Sequence, residues 1–305
     1  MESVLAFCAA VLIAPMLPAV IQKVKALFAG KQGPPLLINY YTVIKLFRKG
    51  SVYSTSTSFV FQLGPVVGCC TSLMMLLFFP LAGTAPLFSF HGDVFMLFYL
   101  MGLGRFFTIL AALDTASPFE GMGAAREAFF STLAEGTIFA ILILFFRFSG
   151  SLSFQEFFTG TNAMNIGGEH GALLLLVIIA LYIVMLTENS RVPVDDPATH
   201  LELTMIHEVM ILDHSGPDLA LIELGAWFKL LFYSAFLSQI LNPLQLADPL
   251  MNGLLFFGIV TLIYMSVGVV ESITARFRMN LVPKFILTSF ALVFFVIILT
   301  MELIQ

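Results

Sequence analysis

The chain carries eight apolar runs, each near the roughly 20 residues that a helix needs to cross a bilayer. They cover 3–23, 59–82, 93–113, 124–147, 171–190, 217–241, 249–272 and 281–303. Inside hydrocarbon every backbone N–H and C=O must find a partner within the protein, so only helices and closed barrels can span. Barrel strands are short, about 10 residues, and alternate in polarity. These runs are continuous. The expected fold class is all-α integral membrane, with about eight transmembrane helices. Of 305 residues, 59% are hydrophobic and only 11% are charged, against about 25% charged in soluble domains. No connection is long enough to form a soluble domain and no internal repeat is evident, so residues 1–305 read as a single polytopic membrane domain. The net charge of −5 is spread over loops and spans and gives no basis for nucleic-acid binding.

Basic residues orient the spans. Lys23, Lys25, Lys31, Lys45, Arg48 and Lys49 follow the first run; Arg126 flanks the fourth, Arg191 follows the fifth, and Arg276, Arg278 and Lys284 lie between the last two. All fall on one side. The opposite connections 83–92, 148–170 and 242–248 hold no Lys or Arg. The expected topology places both termini outside and the long connections 24–58 and 191–216 in the cytoplasm. The N-terminal Met-Glu-Ser-Val has no basic region before the first run, which reads as an uncleaved span despite Pro15 and Pro18. Residues 36–49 are too polar to span. Leu37, Tyr40, Tyr41, Ile44 and Phe47 occupy one side and Asn39, Thr42, Lys45 and Lys49 the other, the pattern of an amphipathic helix in the membrane interface.

Among the charged residues inside the apolar runs are Arg105, Glu127, Glu135, Glu188, Glu223, Lys229 and Glu271. A charge near the bilayer centre costs several kcal/mol and marks ion or proton pathways. Glu127 and Glu135 are eight residues apart, about 12 Å along a helix, a separation suited to two stations bridged by water or another side chain. Arg105 cannot deprotonate and reads as a fixed counter-charge for a carboxylate. Lys229 can hold and release a proton when buried. It lies six residues from Glu223, so each is expected to meet a partner on another helix. Glu271, near the end of its run, can reach the interface.

The densest polar segment runs from Glu188 through Arg191, Asp195, Asp196, His200, Glu202, His207 and Glu208 to Asp213 and His214. Such a concentration of titratable groups at a membrane surface can gather and relay protons, since neighbouring carboxylates raise one another's pKa and His titrates near neutrality. His200 and His207 are seven residues apart, about 10 Å on a helix, too far for one metal ion. Cys8, Cys69 and Cys70 lie in apolar runs without ligand spacing and read as small core residues. No self-contained catalytic site is evident.

Glu188-Asn-Ser-Arg-Val-Pro-Val-Asp-Asp-Pro, followed by Leu201-Glu-Leu, resembles the acidic loop signature of the complex I membrane-arm family known as NADH-quinone oxidoreductase subunit 1. Gly33-Pro and Ile44-Lys-Leu-Phe resemble that family's segment after its first span. Arg105-Phe-Phe, Asp114-Thr-Ala-Ser-Pro-Phe and Gly123-Ala-Ala-Arg-Glu-Ala look most like the formate hydrogenlyase subunit 4 branch, of the group 4 membrane-bound nickel–iron hydrogenases. The resemblance implies a heel subunit of a prokaryotic cytoplasmic-membrane complex. Such a subunit docks a peripheral redox arm, with a hydrogenase-like large subunit and a small iron–sulfur subunit, and contacts antiporter-like membrane subunits. Iron–sulfur clusters and a nickel–iron site are expected in those partners and no cofactor in this chain. By the same resemblance Glu127 and Glu135 match acidic positions of the branch's fourth span, Glu188, Asp195 and Glu202 match the loop signature, and Lys229 matches a lysine of the hydrogenase branch.

The proton- or ion-coupling set is therefore expected to be Arg105, Glu127, Glu135, Glu188, Asp195, Glu202, Glu208, Glu223 and Lys229, with Arg191, His200, His207 and Asp213 in a docking loop. The alternative is a quinone-pocket subunit of a complex I-like oxidoreductase. Pro197-Ala-Thr-His200 stands where the complex I pattern carries two more carboxylates, a departure that weighs against quinone.

Overall fold

A computed structural model of the chain describes residues 2–159, 171–196, 205–242 and 248–303. Among the described residues it contains eleven α-helices, one short 3-10 turn (Glu208–Ile211) and no strand. The helices are α1 (Glu2–Ile13), α2 (Leu17–Phe28), α3 (Ile38–Phe47), α4 (Phe59–Leu77), α5 (Asp93–Asp114), α6 (Pro118–Ser149), α7 (Phe154–Thr159), α8 (Gly171–Glu188), α9 (Gly216–Leu241), α10 (Pro249–Ile273) and α11 (Val282–Leu303). Seven of them, α4, α5, α6, α8, α9, α10 and α11, are long and apolar enough to cross a membrane, and α1 with α2 makes an eighth, bent span. The protein is an all-helical, multi-pass membrane protein.

The first span departs from expectation. Instead of one helix over 3–23, a turn at 14–16 separates α1 from α2, which meet at 42°. Pro15 and Pro18 have no N–H to give, so helix bonding fails there and carbonyls are left over. Two side chains of α3 take them up. Asn39 Nδ2 donates to the Pro15 carbonyl at 2.8 Å, and the Tyr40 hydroxyl donates to that of Leu12. Helix α3 is thus docked on the break, and its Asn39 is buried.

The fourth span also differs, starting at Pro118 rather than 124. Proline fits the first helical turn, where its missing N–H has no intrahelical acceptor. At 32 residues α6 is about 48 Å long, against a hydrocarbon thickness of roughly 30 Å, so one end projects from the bilayer.

Helix α4 packs on α5 and α9, α10 on α2 and α9, and α11 on α6 and α8. Without a hydrophobic drive between helices in lipid, close approach at small residues supplies the attraction. A Cβ at Gly225 of α9 would stand 3.2 Å from Cys69 Cα, and one at Gly268 of α10 would stand 2.8 Å from Val24 Cβ. Around α9, the side distant from the basic loops is filled by aromatic rings. Phe79, Phe145, Phe154, Phe158, Phe232 and Phe236 interlock there, with centroids as close as 5.3 Å. Asp93 fixes the loop that brings in α7, accepting from the Ser153 hydroxyl at 2.9 Å and the Phe154 N–H at 3.0 Å.

The connection between α8 and α9 is expected to be a loop facing the cytoplasm. Its described parts are largely buried against the helices: Ser190, Val192, Val194 and Asp195 before the break, and Met205, Ile206, Val209, Met210, Ile211 and His214 after it. Irregular backbone among membrane helices is tolerated where protein covers it. Gly123 of α6 lets the returning chain approach, since a Cβ there would meet the Ile206 carbonyl at 2.9 Å and the Val209 side chain. Residues 197–204, including the expected His200 and Glu202, lie outside the described residues.

Candidate functional site

Glu188 is the last residue of α8, and its side chain has no solvent exposure. An isolated carboxylate cannot remain ionised in such a place. Two cations flank it. Lys229 Nζ, near the middle of α9, lies 2.8 Å from Oε2. Arg105 Nη2, from α5, lies 3.1 Å from Oε1 and 3.2 Å from Oε2. The second Arg105 nitrogen, Nη1, pairs with Glu135 Oε1 of α6. Four helices therefore contribute one residue each to a chain running Lys229–Glu188–Arg105–Glu135, with two positive and two negative charges. Tyr233, one turn beyond Lys229, is fully buried behind it.

A cavity of about 120 Å³ opens beside this chain of ion pairs. Arg105, Glu188 and Lys229 border it, and Glu127, His207 and His214 line it towards the α8–α9 connection. A third wall carries hydroxyls. Thr71 and Thr108 donate their hydrogens to the carbonyls of Gly68 and Gly104, at 3.0 and 2.9 Å, which leaves their oxygens as acceptors. A space of this size, lined mostly by apolar atoms but bordered by these charged groups and hydroxyls, has room for several waters. Glu127 accepts from the Ser131 hydroxyl at 3.1 Å. Glu135 occupies the other end of the network, where 30% of its side chain is exposed.

Other expected residues stand apart. Glu223 lies among the charges of Glu208, His207 and Arg191 rather than in the four-residue chain. Asp195 closes a clasp: Oδ1 meets Arg276 Nη2 at 2.9 Å and the Asp196 N–H at 2.9 Å, while Oδ2 accepts from the Ile206 and His207 N–H groups at 3.0 and 3.2 Å. It thereby ties the two ends of the 197–204 segment together and to the α10–α11 connection. Arg191 reaches Glu271 at 3.5 Å, and Lys25 reaches the same carboxylate at 2.9 Å. The Glu271 side chain is only 1% exposed, so it is bound between helices rather than extended to the interface. Asp213 is exposed, and its N–H donates to Glu120 Oε1 at 3.3 Å. Glu120, buried at the start of α6, is not among the residues expected from the sequence, because it precedes the apolar run of the fourth span. Tyr233 also escaped, because a tyrosine in an apolar run gives no signal of its own.

His214 stacks on Phe61, with ring centroids 3.9 Å apart and planes 8° from parallel. Burial pushes its pKa down to about 4, so its imidazole is neutral at neutral pH. Its Nδ1 has no protein hydrogen-bond partner among the described residues. No group of three His, Cys, Asp or Glu among the described residues is placed to hold a metal ion.

Chemically, the network can respond as a unit. A proton arriving at Glu188 would release both cations that hold it, and Arg105 would pass that change to Glu135. The cavity reaches from the network to His207 and His214 of the α8–α9 connection, and the aromatic cluster fills the bundle further along α9, at Phe232 and Phe236. Glu135 is the most exposed member of the network.

Comparison with known proteins places this geometry. The NADH dehydrogenase family matches over residues 1–302. Hydrogenase-4 component C of Escherichia coli (strain K12) is 27% identical over 287 residues, covering 92% of this chain and 89% of its own. Formate hydrogenlyase subunit 4 of the same organism is 27% identical over 295 residues, covering 92% of each. Among solved structures, a chain of the membrane-bound sulfane sulfur reductase (MBS), an archaeal respiratory membrane complex, superposes with a TM-score of 0.83 over 98% of both chains at 19% identity.

Proposed function

Because this chain belongs to the NADH dehydrogenase family, we propose that it is the heel subunit of a complex I-related, energy-converting membrane complex of the formate hydrogenlyase or group 4 hydrogenase type. In this reading it holds a peripheral redox arm on the side of the basic loops, the cytoplasm, and couples that arm's electron transfer to proton or sodium movement in neighbouring antiporter-like subunits. The iron–sulfur clusters, and a nickel–iron site where the complex is a hydrogenase, belong to the partners. The observation that carries the proposal is the ion-pair chain Lys229–Glu188–Arg105–Glu135, centred on the fully buried Glu188. An inert anchor has no need for four charged side chains inside its bundle, where each costs several kcal/mol unless paired. The names of the two 27% identical relatives favour the hydrogenase branch.

The work of this chain is then to hold and move charge. Redox change in the docked arm shifts the α8–α9 connection. The clasp at Asp195 and the packing of Ile206 and Val209 against Gly123 transmit that shift to the base of the cavity. Lys229 gives up or takes a proton across the cavity, Glu188 re-pairs, and Arg105 moves its balance towards Glu135. The aromatic cluster prevents a leak straight through. Coupling of this kind is reciprocal, so an opposing ion gradient must also hold back the redox reaction. The quinone-binding alternative has about 120 Å³ of cavity in this chain, short of the roughly 300 Å³ or more of typical organic-ligand pockets.

Purifying the complex through a tag on this chain, with mass spectrometry and metal analysis, tests the proposal. A hydrogenase-like large subunit with nickel supports the hydrogenase reading. Iron–sulfur partners without nickel would keep the heel role and replace the hydrogenase branch. Recovery of this chain alone, moving ions by itself in liposomes, would overturn the role.

A further inference from the structure

Between Glu2 and Asp93 the sequence has no acidic residue, yet six of the fourteen Lys and Arg residues fall between 23 and 49. Only Lys25 among these six makes an ion pair within the described residues, with Glu271. Lys45, Arg48 and Lys49 surround the C-terminal end of α3 and are exposed. So is an apolar set on the same helix: Leu37 (50%), Tyr41 (62%), Ile44 (51%) and Phe47 (47%).

The two sets occupy adjacent faces. At 3.6 residues per turn the apolar side chains fall within an arc of about 120° and Lys45 lies about 40° beyond its edge, while Arg48 and Lys49 follow directly after Phe47, the last residue of the helix. Asn39, buried and bonded to Pro15, points to the opposite side. One face of α3 is thus fixed to the protein, a second is greasy and uncovered, and the basic side chains clustered at its C-terminal end make no ion pair among the described residues. A helix with apolar and cationic faces side by side matches the boundary between acyl chains and anionic headgroups.

We propose that α3 is a binding site for anionic phospholipid, with Tyr41, Ile44 and Phe47 against the acyl chains and Lys45, Arg48 and Lys49 on the headgroup phosphates. The charge complementarity is one-sided: a phosphate-rich surface satisfies three cations for which this part of the chain offers no carboxylate. Because Asn39 and Tyr40 of the same helix hold the break in the first span, lipid seated on α3 also steadies the junction of α1 and α2. The inference rests on α3 alone and stands whether or not the chain couples redox chemistry.

The test uses the intact complex purified through this chain, stripped of lipid, and exposed to mixed micelles of phosphatidylglycerol or phosphatidylcholine, with retained lipid counted by native mass spectrometry. Each basic side chain at an anionic surface contributes about fivefold in association, so K45Q/R48Q/K49Q is expected to weaken phosphatidylglycerol retention on the order of 100-fold. Phosphatidylcholine retention should not change, and K45R/K49R should keep the preference. Equal retention of both lipids by the parent protein, or undiminished preference in the triple variant, would overturn the proposal. Should the triple variant fail to assemble, a photo-crosslinking residue at Ile44 in the otherwise unaltered chain decides. Adducts with phospholipid support the site, and adducts with another protein subunit refute it.

Discussion

Replacing Lys229 by methionine removes one of the two cations that make a fully buried Glu188 tolerable. The Nζ–Oε2 separation of 2.8 Å corresponds to a gross attraction of about 6 kcal/mol at an effective dielectric constant near 20. Much of that is offset by the desolvation of both groups, and truncating one member of a buried pair typically costs about 3–5 kcal/mol. The Lys229 side chain is 25% exposed to the cavity, and Arg105 still holds Glu188 from the other side, so the lower end, about 3 kcal/mol, is expected. Trp227 is the only tryptophan of the chain and lies on the same helix two residues away. Its fluorescence can follow unfolding of the purified chain in mixed micelles. The decisive comparison is a double-mutant cycle. In K229M/E188Q the orphaned carboxylate is gone, so the double variant should be more stable than the sum of the single losses predicts, by about 2 kcal/mol. K229M within about 0.5 kcal/mol of the parent, or strict additivity, would refute the reasoning that these two residues hold each other in place.

Gly123→Ala forces a methyl group against the Ile206 carbonyl and Val209; a loss of about 1–3 kcal/mol is expected, visible as poorer recovery of the complex and faster proteolysis of the α8–α9 connection. Asp195→Asn weakens the clasp, so amide hydrogen exchange at Ile206 and His207 should accelerate while exchange in α9 stays slow. His214 has a folded pKa of about 4, below its ordinary value near 6.5. The unfolded chain therefore binds the extra proton between those values, and stability is lost as pH falls from about 6.5 towards 4, by roughly 3 kcal/mol in all. In His214→Phe that slope should disappear from unfolding curves measured across the same range. Asn39→Ala leaves the buried Pro15 carbonyl without its donor and should cost about 1–3 kcal/mol, with protease sensitivity rising first at residues 14–16.

The parts of this fold that depend on composition over a long window were legible in the sequence. Six spans, and the existence of α3, agree with expectation to within a few residues because a run of apolar residues has one way to satisfy its backbone in lipid. The break at Pro15 was not, since hydropathy stays high through 14–16 and a proline inside a span is tolerated or disruptive depending on what takes up the freed carbonyls. That depended on Asn39 and Tyr40, more than twenty residues away. The start of α6 was missed because its first turn projects beyond the apolar run. Within the site, the sequence identified charged side chains that require partners but not which partners. Arg105 and Glu188 are 83 residues apart, and Lys25 and Glu271 meet only because Gly268 lets α10 lie on α2. Asp195 looks in sequence like one more carboxylate of an acidic loop. Its clasp on two backbone amides is a property of the folded connection alone.

The central claim is that charge leaves the buried network past Glu135 into a neighbouring subunit. Its most direct test is the Glu135→Gln complex reconstituted in liposomes, with ion translocation and electron transfer measured together. The account predicts that electron transfer by the redox arm persists while the ions moved per electron pair fall towards zero. An unchanged ratio in that variant, with the complex intact, would contradict it.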